Sequence, residues 1–155
     1  MSRPLGEIQQ TEVYWEEQDK SDLAQVQSIA DMTAVALRVL KRMPAPVGEV
    51  CGPISNGGVG SIAGNLKVFS DTIQRLQQRG HAIFDQMPFE EYVHRIVSDE
   101  YNVGTKLDLL EGFYAPLFES GNLHTLYFIA GWESSNGARW ERAKGVELGL
   151  TIVDL

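Results

Sequence analysis

Residues 123–155 read LHTLYFIAGWESSNGARWERAKGVELGLTIVDL, and this stretch decides the fold. LHTLYFIAG is the most apolar strand-like run of the chain and stops at Gly131. A polar turn with Ser134, Ser135 and Asn136 follows, then GARWERAKGVELG with helical spacing, then LTIVDL as a closing strand. Strand, loop, helix and strand in so short a space predict a unit with parallel strands and a helical crossover.

The same alternation runs upstream. VGEVC (47–51) is a short strand and GPISNGGVGS (52–61) a glycine-rich loop. IAGNLKVFSDTIQRLQQRG (62–80) is a helix with Ile62, Leu66, Phe69, Ile73 and Leu76 on one stripe and Gly80 as its stop. HAIFD (81–85) is a second strand, and residues 86–104 are irregular or partly helical. TKLDLLEGFYAPLFESG (105–121) is a helix distorted near Pro116. The expected architecture is α/β, a mainly parallel sheet flanked by helices, with an extra helix at the N-terminus. Residues 1–20 are expected as a polar arm, with Val13, Tyr14 and Trp15 as its docking point. Residues 21–46 form a helix capped by Ser21 and a PAPVG linker, and residues 47–155 form the α/β domain. Leu23, Val26, Ala30, Thr33, Leu37 and Leu40 give that helix an apolar stripe, which either packs on the core or pairs two copies of the chain.

Composition narrows the function classes. The 155 residues suffice for one core, and 43% hydrophobic with 22% charged residues is a globular balance. A net charge of -8 argues against a binder of nucleic-acid polymers, which needs clustered Lys and Arg. The lone Cys51 excludes a disulfide framework and a multi-cysteine zinc site, and His81, His94 and His124 lack metal-ligand spacing, so no metal and no cofactor is expected. Without a signal-like or membrane-spanning run, a cytoplasmic enzyme or binding protein is expected, with no membrane partner.

In an open parallel sheet, ligands sit beyond the C-terminal ends of the strands, where the strand order reverses. Two loops with surplus polar content leave strands there. In the first, Gly52, Gly57, Gly58 and Gly60 let backbone amides approach a ligand, and Ser55, Asn56 and Ser61 add side-chain hydrogen bonds. That loop is either a surface connector or a cradle for phosphate or sugar hydroxyls. In the second, Ser135 or Asn136 caps the helix, and Glu141 shares a stripe with Ala138, Gly145 and Leu148. If that stripe faces the sheet, Glu141 points at the strand ends; if Ala143 and Val146 face it instead, Glu141 is a solvated acid. Cys51 at a strand end is either a small core residue or a reactive thiol.

VCGPIS, AGNLKVFSDTIQRLQQRGHAIFD and LYFIAGWESSNGARWERAKGVELGLTIV together resemble the nucleoside 2-deoxyribosyltransferase superfamily. They look closest to its small bacterial and phage branch with a GPI loop and a GWxxSxGAxxE motif. Gly131, Trp132, Ser135, Gly137, Ala138 and Glu141 fall in register with that motif, and the likeness covers residues 47–155. The resemblance implies a Rossmann-like or flavodoxin-like domain that cleaves or exchanges the N-glycosidic bond of a nucleoside or nucleoside 5'-monophosphate. It implies Glu141 as nucleophile, with Gly52, Pro53, Ser55, Asn56, Gly57, Trp132, Ser135 and Gly137 lining the substrate pocket. Relatives often form homodimers or larger homo-oligomers. They commonly carry an aspartate where this chain has Asn122 and another near Tyr114, with Asp108 and Glu111 one or two turns earlier and Asp108 taken as the candidate acid partner, and often an aromatic where this chain has Glu49. The alternative expectation is a nucleotide-binding module of the same fold without turnover.

Overall fold

The computed structural model describes residues 13–54, 57–97 and 107–155, the side chains of 94–97 excepted. Its elements are α1 (Glu17–Gln25), α2 (Ile29–Arg42), β1 (Val47–Cys51), α3 (Ile62–Gln78), β2 (Ala82–Ile83) and α4 (Met87–Val97). A π-helical turn (Leu110–Tyr114) then runs into α5 (Ala115–Glu119). Strand β3 (Thr125–Phe128), a 3-10 turn (Trp132–Ser134), α6 (Asn136–Leu148) and β4 (Thr151–Asp154) complete the chain. All strand pairs are parallel, in the order β2-β1-β3-β4. This is the expected α/β architecture of Rossmann-like and flavodoxin-like type.

Strand alternation sorts the side chains into two layers. Val50 and Ile83 pack against Phe69, Ile73 and Leu76 of α3 on one face. Val47, Cys51, Leu126 and Phe128 face the other, under α2, α4 and α5 with the π-turn before it. Glycine permits two close approaches: a Cβ at Gly48 would run into the Tyr127 ring, and one at Gly145 would meet Leu126 at 2.5 Å. The chain steps from β1 to β2 on one side and returns to β3 on the other, so strand order reverses at β1.

The N-terminal region differs from expectation. Ser21 does not cap a helix; it lies inside α1, whose N-cap is Glu16, while Ser28 caps α2 by accepting from the Asp31 amide. Helical structure therefore begins before residue 20, and the chain breaks between the two helices. The buried face of α2 is Met32, Thr33, Val35, Ala36, Val39 and Leu40, so Thr33 and Leu40 of the expected stripe face inward and Ala30 is exposed. This face joins the domain core, and Trp15 stacks on Phe89 at 5.5 Å.

The distortion expected near Pro116 takes a definite form. Proline has no N–H for the carbonyl four residues back, Gly112, so the turn widens. Thr33 Oγ1 donates to that freed carbonyl at 2.7 Å and ties α2 to the turn. Within residues 86–104, expected as irregular or partly helical, Met87–Val97 form the helix α4. In α3 the buried stripe begins at Asn65; Ile62 is 43% exposed.

Candidate functional site

The reversal of strand order places the site at the C-terminal ends of β1 and β3. Ser135 ends the 3-10 turn and caps α6 by accepting from the Ala138 amide at 3.1 Å. That fixes the helix phase and turns Ala138, Glu141 and Gly145 inward, while Val146 on the other face is 64% exposed. Of the two faces left open by the sequence, the one carrying Glu141 is the buried one. Leu148 at the end of that stripe reaches solvent.

Below Glu141 lies β1, whose Glu49 and Cys51 share a face because they are two residues apart on a strand. One carboxylate oxygen each of Glu49 and Glu141 and the Cys51 Sγ lie within 4.8 Å of one another. The Cys51 thiol donates a hydrogen bond to Glu141. Both oxygens of Glu49 are buried, and no described residue hydrogen-bonds to either. Glu90 of α4 and Tyr114 adjoin the group, and Tyr114 Oη donates to the Glu90 carboxylate.

Electrostatics follows from this crowding. Burial, then the neighbouring Glu141 and Glu90, pushes the Glu49 carboxyl well above the usual carboxylate range. Burial raises Glu141 to about 8, against the Cys51 hydrogen bond that favours its charged form. Burial and the carboxylates push the Cys51 thiol up, and burial also raises Glu90 against its bond from Tyr114. Like charges this close do not all ionise, so the group holds at least one proton at neutral pH.

The two polar loops meet. The Gly58 amide donates to Ser134 Oγ at 3.0 Å, and Ser134 Oγ donates to the Gly131 carbonyl at 2.7 Å. Gly57 has φ +69°, and a Cβ there would lie 2.6 Å from the Ser134 carbonyl. Buried Asn65 shapes the glycine loop from α3: its amide group donates to the carbonyls of Ile54 and Gly57, and its Oδ1 accepts from Val59. Ser61 caps α3 by accepting from Gly64.

The remaining expected residues are placed as follows. Gly52 and Pro53 follow β1 directly and are buried; a Cβ on Gly52 would press on Ile129. Ser55 and Asn56 lie outside the described residues. Gly137 opens α6 with room around it, a Cβ there meeting only Ser135 Oγ at 3.8 Å. Trp132 is half-buried, edge-on to Phe128 at 5.5 Å and under the Arg142 guanidinium at 4.4 Å. Asp108 is exposed and is not among the residues gathered around Glu141, where Glu49 and Cys51 stand instead. His124 Nδ1 accepts from the Val47 amide at 2.9 Å, a structural role. The side chain of His94 lies outside the described residues.

Sequence reading had no direct signal for Glu90, Tyr114 and Asn65. Glu49 carried one: a carboxylate amid Val and Cys on a strand buried on both faces. Among the described residues, no helix is long and apolar enough to cross a membrane. Comparison with protein-family models, curated proteins and solved structures gave no match.

Proposed function

We propose that this protein cleaves or transfers the N-glycosidic bond of a nucleoside or nucleoside 5'-monophosphate, with Glu141 as nucleophile. The observation that carries the reading is a buried carboxylate at the point where strand order reverses, beside a glycine-rich loop. The motif resemblance of residues 131–141 supports the same role. Glu141 attacks the anomeric carbon as the bond to the base breaks, and water or a second base then releases the sugar from the ester. The leaving base needs a proton, and Glu49 supplies it in place of Asp108. One of its oxygens lies within 4.8 Å of one of Glu141's, so the two carboxyls are close enough to act on one bond. The loop amides at 57–60 and the start of α3 suit a sugar hydroxyl or 5'-phosphate.

The test is chromatographic. The protein is incubated with ribo- and deoxyribonucleosides and their 5'-monophosphates, and free base is measured. Release that Glu141→Gln lowers by at least about 1,000-fold, the scale of losing a group that acts in the transition state, supports the reading. Release equal in wild type and mutant removes Glu141 from its role. Ligand-dependent thermal stabilisation without release favours the binding module.

A further inference from the structure

We propose that Glu49, Cys51 and Glu141 form a zinc site whose occupation takes Glu141 out of catalysis. The metal site stands apart from the glycosidic reading, whereas its effect on Glu141 rests on that reading.

The primary observation is Glu49. Its residue is 0% exposed, both its oxygens lack a hydrogen-bond partner among the described residues, and one of them faces Cys51 Sγ and Glu141. A buried carboxylate left so costs several kcal/mol unless something compensates it. A proton neutralises its charge but leaves acceptor positions unfilled; a divalent cation answers both needs. Glu90 beside the cluster adds negative potential of the sign that attracts a cation.

The geometry is that of a ligand set. Three donor atoms lie within 4.8 Å of one another, so small side-chain rotations bring each to the roughly 2.0–2.3 Å of a zinc bond. Two donors sit on one face of β1 and the third comes from the first turns of α6, so rigid elements hold all of them. One thiolate with two carboxylates selects the metal. Magnesium and calcium take oxygen ligands, copper(I) favours sets of soft sulfur ligands, and zinc accepts sulfur and oxygen together. On binding, the Cys51 thiol releases its proton to solvent and its sulfur lone pair bonds the metal. Three protein ligands leave a fourth position open. Of the three ligands Glu141 alone keeps a measurable exposed surface, 7%, and is the one an entering ion meets first. A carboxylate bonded to zinc shares its negative charge with the metal and is held in the metal's geometry, which weakens it as a nucleophile, so metal and turnover compete.

Cobalt(II) titration of the metal-stripped full chain, without substrate, tests this. Cobalt takes zinc's geometry and shows sulfur ligation as charge-transfer absorption in the near ultraviolet. The expected result is such a band in wild type, saturating at one equivalent and abolished by zinc. Cys51→Ser loses it, and Glu49→Gln needs at least about 10-fold more cobalt, the smallest loss expected when even an outer partner is removed. No charge-transfer band in wild type at saturating cobalt overturns the site, whatever the variants do, and so does equal cobalt affinity in Cys51→Ser. In protein that releases base, one equivalent of zinc stops release; unchanged release from zinc-loaded protein overturns the competition.

Discussion

Glu49 stands in the middle of a strand buried along its whole length, where valine or isoleucine is the economical choice. Replacing an unpartnered buried carboxylate by an apolar side chain of similar volume removes its desolvation penalty. Glu49→Leu, measured in chelator, is therefore expected to raise stability by about 1–3 kcal/mol while base release falls. A lower melting temperature would mean that the carboxylate is satisfied after all. The sequence left the phase of Glu141 open between two faces; the Ser135 cap and the close approach of Gly145 to Leu126 turn it inward. What stands opposite Glu141 was not legible either. Alternation places Glu49 and Cys51 on one face, but only the packing of α6 on β3 and β4 brings Glu141 to that face.

At the scale of elements, the site depends on two loops holding each other. Gly57→Ala puts a methyl 2.6 Å from the Ser134 carbonyl at a left-handed φ of +69°, and so parts the loops. It is expected to raise KM several-fold for nucleotide substrates with a small change in melting temperature; an unchanged KM would detach the glycine loop from binding. Asn65→Ala removes three hydrogen bonds that shape that loop, at about 1 kcal/mol each. Denaturant unfolding is expected to show a loss of roughly 2–3 kcal/mol, and a loss below 0.5 kcal/mol would contradict the role given to Asn65. Element types were readable from period and turn residues. Their ends were less so, because Ser21 has the composition of a cap while the chain uses Glu16 and Ser28. Pro116 announced a distortion; that Thr33 answers the freed carbonyl is a tertiary fact with no local sign.

For the molecule as a whole, the N-terminal helices are part of the domain's core, and Asp19 fastens them. Asp19 is 0% exposed, accepts from the Glu16 amide at 2.8 Å and Arg38 Nε at 3.0 Å, and pairs with Arg42. Burial alone would raise its carboxyl, but the bonds from Arg42, the Glu16 amide and Arg38 outweigh it and hold the group below its ordinary 3.8. A depressed folded value means stability that is full above 3.8 and lost as pH falls through the lower folded value. Asp19→Asn is expected to cost roughly 3 kcal/mol at neutral pH, with the gap to wild type closing in strong acid. A gap independent of pH would contradict the ion-pair account. The parallel sheet followed from the strand–helix alternation and the rule for crossovers, whereas the strand order and the anchoring by Asp19 needed the fold. The central claim is that Glu141 bonds covalently to the sugar. Its most direct test is intact-protein and peptide mass spectrometry after reaction with a 2'-deoxy-2'-fluoronucleoside, whose fluorine slows release of the ester. One added glycosyl group, located on Glu141 and absent from Glu141→Gln, is the predicted result. Base release with no adduct, or an adduct on another residue, would contradict the account.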